Sequence, residues 1–319
     1  MDQNNASQEK NEPISLEKAL AFVKTLQQLS QEEVAIKEHL EKKIQEQEEQ
    51  ITKDCLKLFE KHQLLEMHFK VKDTKLDQKL YYYFKNDKNN GFIPTHNSRK
   101  WKNINFVDYI WIEILETLRK FSCPHETIKK VYKECYGLGY TKEILELKKH
   151  RVENEGKEND TKSNIKEHTN QIDSINQVIT NQKTIAVLDE YITLLYLSII
   201  NCMKGKELYL VIDEEQQISI SGNVESQKPQ LVLPLSSFLV TFVRDESKKA
   251  FWKTLALFTQ KELELIDLFT EYPDAYVSLN RKDIVIKNVD ELKEILVLKK
   301  YFIIEMKIKS YPNVLQFYP

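Results

Sequence analysis

Between Phe106 and Phe121 apolar residues return every three or four positions: Phe106, Ile110, Ile114, Leu118 and Phe121, with Trp111 and Leu115 widening the stripe. That period predicts an amphipathic α-helix that must bury one broad face. Asn103 or Asn105 opens it. Ser122-Cys123-Pro124 stops it, and Pro124 with Glu126 close behind starts a second helix lined by Ile128, Val131, Tyr132 and Cys135. Gly137-Leu138-Gly139 ends the pair. Two such helices form a core by default, and the residues just before them are the nearest source of apolar partners.

Those residues are unusually aromatic. Leu76, Leu80 and Phe84 fall on one face of a short helix at a spacing of four. Lys75, Gln78, Lys79, Tyr82, Tyr83 and Lys85 lie off that stripe, a set of donors and aromatic hydroxyls suited to phosphates and base edges. The bland alternative is that the tyrosines belong partly to the core. Asp87 to Gly91 reads as a turn, Phe92 to Pro94 leaves it extended, and Thr95-His96-Asn97-Ser98 forms the tip of a hairpin. On the returning strand, alternation puts Lys100 and Lys102 on one face and Arg99 with Trp101 on the other. Cations outward and a packed tryptophan inward suit a wing pressed on phosphate, with Asn97, Ser98 and Arg99 near its tip.

The order of these signals resembles the winged helix-turn-helix of MerR-type transcription regulators. Lys79-Leu80-Tyr81-Tyr82-Tyr83 is similar to the family's T-L-R-Y-Y-like run, and Gly91-Phe92-Ile93-Pro94 to its G-L-[IL]-x-P turn. Arg99-Lys100-Trp101 is similar to R-x-Y, with tryptophan in the aromatic place. The resemblance covers Phe69 to Cys135 and implies double-stranded DNA as partner, a recognition helix in the major groove, and a homodimer.

Charge distribution agrees with such a partner. The chain's net charge of −2 conceals a basic middle: residues 61–149 hold 18 Lys/Arg against 11 Asp/Glu, while residues 1–60 hold 8 against 13. A lysine-rich solvated surface would give the same count. The six glycines include no G-x-G-x-x-G or G-K-[ST] arrangement, and neither a serine elbow nor H-E-x-x-H occurs. No enzyme activity, catalytic residue, metal or cofactor is therefore expected. Cys55, Cys123, Cys135 and Cys202 lack paired spacing, which suggests a reducing cytoplasm. No secretory signal is read at Met1 to Asn5, and the apolar window Ile185 to Met203 contains Asp189 and Glu190, so a packed helix rather than a membrane span is expected there.

Four segments follow. Residues 1–61 carry Leu16, Leu20, Val23, Leu26 and Leu29, then Leu40, Ile44, Ile51 and Leu58, a helical region with coiled-coil character. Residues 62–147 form the DNA-binding domain. Residues 148–184, free of aromatics through Lys183, form a polar linker, partly helical, in which Ile165, Ile172, Ile175 and Ile179 offer a dimer seam. Residues 185–319 form an α+β domain of helices on antiparallel hairpins. Its signals include the cap Thr259 with Glu262 three residues on, and strand pairs around Asp213 to Glu215 and Asn280 to Asp283.

The expectation is an α+β, cytoplasmic, dimeric DNA-binding regulator, with a protein or small-molecule effector at the C-terminal domain and no membrane association. The rival is a non-catalytic interaction or scaffold protein that uses its coiled-coil-like helices.

Overall fold

A computed structural model describes residues 37, 39, 42, 43, 46, 47, 50–66, 68–74, 76–85, 91–94, 103–158, 162–224, 229–280, 282–309 and 314–318, with backbone alone at 78, 85, 156–158, 162–167 and 282–284. The chain divides into two compact units, Met1–Asp54 and Cys55–Pro319. In the first, the described residues are helical, with Lys42 and Glu46 paired at 3.8 Å across one turn. Most of the expected coiled-coil seam lies outside the described residues, and Ile51, which is described, is 55% exposed. The helix α1 covers 50–56 at the end of this run.

In the second unit the fold is a mixture of helices and antiparallel sheet. Strands β1 (Phe69–Lys70) and β2 (Asn103–Ile104) pair with Phe69 opposite Ile104, so the two ends of the excursion between them lie side by side. That excursion contains α2 (Gln78–Lys85). The expected wing, Thr95 to Lys102, lies outside the described residues. Among the described residues between α1 and α2 stand two 3-10 turns, His62–Leu65 and Val71–Asp73, on either side of β1.

Asn105 then caps α3 (Phe106–Lys120) by accepting a hydrogen bond from the Asp108 amide at 2.8 Å. Ten of its residues are buried, from Phe106 to Leu118, so this helix is covered on nearly every side, more than the one broad stripe predicts. Ser122, at φ 56°, reverses the chain into α4 (His125–Tyr136).

Helices α5 (Thr141–Glu158) and α6 (Lys162–Thr180) fold back on one another through a three-residue connection. The stretch expected as a polar, partly helical linker is thus helical along the end of α5 and all of α6. Its polar composition belongs to solvent-facing turns, supported by pairs such as Lys142–Glu146 and Lys149–Glu153, while Val152, Ile175 and Val178 are buried.

The apolar run expected as one helix is broken into α7 (Gln182–Asp189) and α8 (Leu194–Met203). The break is sewn to the α4–α5 loop. Asp189 accepts from the Thr141 amide at 3.1 Å, the Tyr140 amide reaches Ile192 O at 2.9 Å, and Gly139 bridges Thr193. A Cβ on Gly139 would lie 2.1 Å from that of Asp189, so only glycine admits this approach. Thr193 restarts the helix as its cap.

Strands β3 (Tyr209–Asp213), β4 (Ile218–Ser221) and β5 (Gln230–Pro234) form an antiparallel sheet of order β4-β3-β5. Next come α9 (Leu235–Arg244), α10 (Lys249–Thr254) and α11 (Gln260–Glu271), the last with the expected capping box of Thr259 and Glu262. Strands β6 (Tyr276–Leu279), β7 (Lys282–Val285), β8 (Ile304–Lys307) and β9 (Leu315–Phe317) make a second antiparallel sheet of order β7-β6-β8-β9, and α12 (Val289–Val297) lies between its two hairpins in sequence. Residues 62–147 and 185–319 share one core. Phe242 of α9 meets Phe69 at 5.8 Å, Phe106 at 4.8 Å and Tyr109 at 5.3 Å, and Lys248 donates to Asp73 O at 2.7 Å. Among the described residues, no helix is long and apolar enough to cross a membrane.

Candidate nucleic-acid interface

Helix α2 is short, and an isolated helix of its length would not persist in water. Tertiary contacts hold it. Leu76, Tyr81 and Phe84 are buried and Leu80 is half-buried, so the expected stripe gains one tyrosine. The Phe92 amide donates to Phe84 O at 2.6 Å, and the Trp111 indole donates to Phe92 O from α3. Phe84 and Phe92 lie 5.9 Å apart, and Phe92 reaches His125 of α4 at 4.7 Å.

Beneath this layer sits a carboxylate among phenols. Asp108 is 1% exposed and accepts from the Tyr136 hydroxyl at 3.1 Å, and Tyr136 stacks on Tyr132 at 5.1 Å. Burial, followed by the nearby Asp108 charge, pushes Tyr81 up to about 12, and the same two causes raise Tyr136 well above the usual tyrosine value. These rings are held neutral and serve packing.

The opposite face of α2 is open. Lys79, Tyr82 and Tyr83 are exposed, and their spacing of three and four makes them neighbours on one helical surface. Tyr83 stands edge-on to Phe84 at 5.2 Å and reaches His125 at 6.4 Å. Of the residues expected to contact DNA, the fold therefore brings these three together. Gln78 and Lys85 belong to α2 by backbone alone, and Lys75, Asn97, Ser98, Arg99, Lys100 and Lys102 lie outside the described residues.

The structure adds cations that the sequence pattern did not single out. Arg119, near the end of α3, places its guanidinium carbon 5.5 Å from the centre of the Phe84 ring. Lys130 and Lys133 are exposed on α4. Contact between α3 and α2 is a long-range fact with no local signature, so only the fold could reveal Arg119.

Elsewhere, a cavity of about 200 Å³ lies beside Trp252, Ile266, Thr270, Val289 and Lys293. The Lys293 ammonium is buried there, bound to Glu246 and to Asp290 (3.3 Å) and 4.9 Å from the centre of the Trp252 ring, so its charge is already answered. Among the described residues, no group of three or more His, Cys, Asp or Glu side chains is placed to hold a metal ion. Burial pushes the thiols of Cys135 and Cys202 up to about 12 and about 11, away from thiolate chemistry at neutral pH.

No family model, curated protein or solved structure matches this chain.

Proposed function

We propose that this protein binds double-stranded DNA through the outward face of α2, as a transcription regulator of MerR-like type acting as a dimer. The observation that carries the reading is the pair Tyr82 and Tyr83, 40% and 48% exposed beside Lys79 on a helix whose other side is locked into an aromatic core. Two rigid amphipathic rings and a cation on a fixed helix suit phosphate and base-edge contacts. The basic balance of residues 61–149 supplies the electrostatic attraction. The dimer draws less support from α6, because Ile175 is buried in the chain's own core and Ile179 packs against it.

A gel-shift assay of the full chain on genomic fragments, with salt varied, tests the reading. The expected result is retention of duplex DNA that weakens with log K linear in log salt, at a slope of about −0.9 per phosphate contacted. Absence of any retention at low salt would remove the proposal.

The interaction-protein alternative has one observation in its favour, the 55% exposure of Ile51 on the helix of the first unit. It predicts self-association that Ile51→Lys abolishes in sedimentation, with no DNA retained.

A further inference from the structure

The stripe of α3 points Leu118 into the core and leaves the next residue, Arg119, exposed. Its guanidinium is parked on Phe84, the inward aromatic of α2, with 5.5 Å from carbon to ring centre. Tyr83 stands 5.2 Å from the same ring, so Arg119 lies within about 11 Å of the exposed tyrosine face by these two steps. The nearest candidate for pairing on its own helix, Glu116, is engaged by Lys120 at 3.4 Å. Among the described residues, Arg119 has no carboxylate partner.

A guanidinium held against a ring is oriented before any ligand arrives, and its N–H edges remain free to donate. Duplex DNA carries one negative charge per ~1.7 Å of axis, so a duplex seated on Tyr83 brings several phosphates into the roughly 11 Å that separate this ring from the cation. We infer that Arg119 is a phosphate-binding residue of this interface, fixed by Phe84 and contributing affinity without reading sequence. The inference rests on the DNA-binding reading given above and adds to it a contact residue outside α2 and the wing.

The test compares the full-length wild type with Arg119→Gln and Arg119→Lys, by fluorescence anisotropy on a mixed-sequence DNA duplex a few helical turns long, across a salt series, with a melting curve for each variant. Arg119→Gln is expected to flatten the slope of log K against log salt by about 0.9 while leaving the melting temperature unchanged. Arg119→Lys is expected to restore the slope yet bind more weakly than wild type, because an ammonium lacks the planar fork. If wild type binds and Arg119→Gln keeps both its slope and its affinity, Arg119 is only a surface stack and the inference is overturned. A fall in melting temperature with Arg119→Gln, and no recovery of slope with lysine, overturns it in favour of a structural role. If the wild type itself binds no duplex, the proposed function fails and takes this inference with it.

Discussion

Charges are arranged differently at the two ends of the second unit. In the C-terminal region ion pairs tie separate elements together: Arg244 with Glu294 at 2.7 Å, Lys249 with Asp267 at 3.4 Å, Lys300 with Glu207 at 3.2 Å, and Lys299 with the buried Glu262. Across α2 to α4 the ion pair between described residues is Lys120 with Glu116, inside a single helix. There aromatic rings hold the elements together, and Lys79, Arg119, Lys130 and Lys133 keep their charges facing outward. One region links its elements with ion pairs as well as packing, whereas the other links them with aromatic rings and carries exposed cations beside them.

The most drastic way to break the comparison is to separate the regions. Phe69, Phe106 and Tyr109 depend on Phe242, and Phe69 also meets Phe251 at 4.5 Å. A fragment of residues 62–147 would expose those faces. It is expected to show no cooperative melting transition, while the full chain does; a sharp transition from the fragment would mean that the shared core is dispensable.

Within the C-terminal region, Glu262 is the keystone. It is 1% exposed, accepts from the Thr259 amide at 2.6 Å, and binds Lys299 and the Tyr301 hydroxyl. Glu262→Ala removes one half of the capping box and leaves the half-buried Lys299 and the Tyr301 hydroxyl without their carboxylate, at a cost of about 1–3 kcal/mol. The corresponding change across α2 to α4, Lys130→Ala, is expected to alter stability by less than about 0.5 kcal/mol. Denaturant titration of both variants measures the gap, and equal losses would erase the contrast.

Alkaline pH probes the phenols. Tyr81 and Tyr136 are raised by burial first and by Asp108 second, and Tyr301 is raised by burial and by its bond to Glu262. Their neutral forms are favoured in the fold, so their contribution is complete below the unfolded value near 10 and is lost as pH climbs toward and past the folded values. Melting temperature is expected to hold to about pH 10 and fall beyond it, with phenolate absorbance rising as the protein unfolds. A melting temperature unchanged at about pH 12 would contradict the burial of Tyr81, whose pKa is raised to about 12.

Much of this architecture was legible in local signals. Thr259 with Glu262 marked the start of α11, Asn105 the start of α3, and the alternating runs around Asp213 and Asn280 the two hairpins. The failures have a common cause. The break between α7 and α8 is imposed by Gly139 and Thr141 from another loop, on a run whose own composition is continuous. Strand β5 is five residues ending in proline, and it gains its ladder only by pairing with β3. The polar composition of residues 148–183 concealed a hairpin because its buried positions, Val152, Ile175 and Val178, are sparse. At the candidate site, Tyr81, Tyr82 and Tyr83 are identical in the sequence. Only the fold distinguishes them, by burying the first in the core and exposing the other two.

The double variant Tyr82→Ala/Tyr83→Ala tests the central claim most directly. Tyr82 touches Tyr81, and Tyr83 touches Phe84 and His125, so a small fall in melting temperature is expected beside the change in affinity. Duplex affinity at low salt should fall at least about fivefold, at ~0.5–1.5 kcal/mol for each lost hydrogen bond to phosphate or base edge. Unchanged affinity together with a lowered melting temperature would show that the tyrosines hold the fold together and that the face of α2 does not bind DNA.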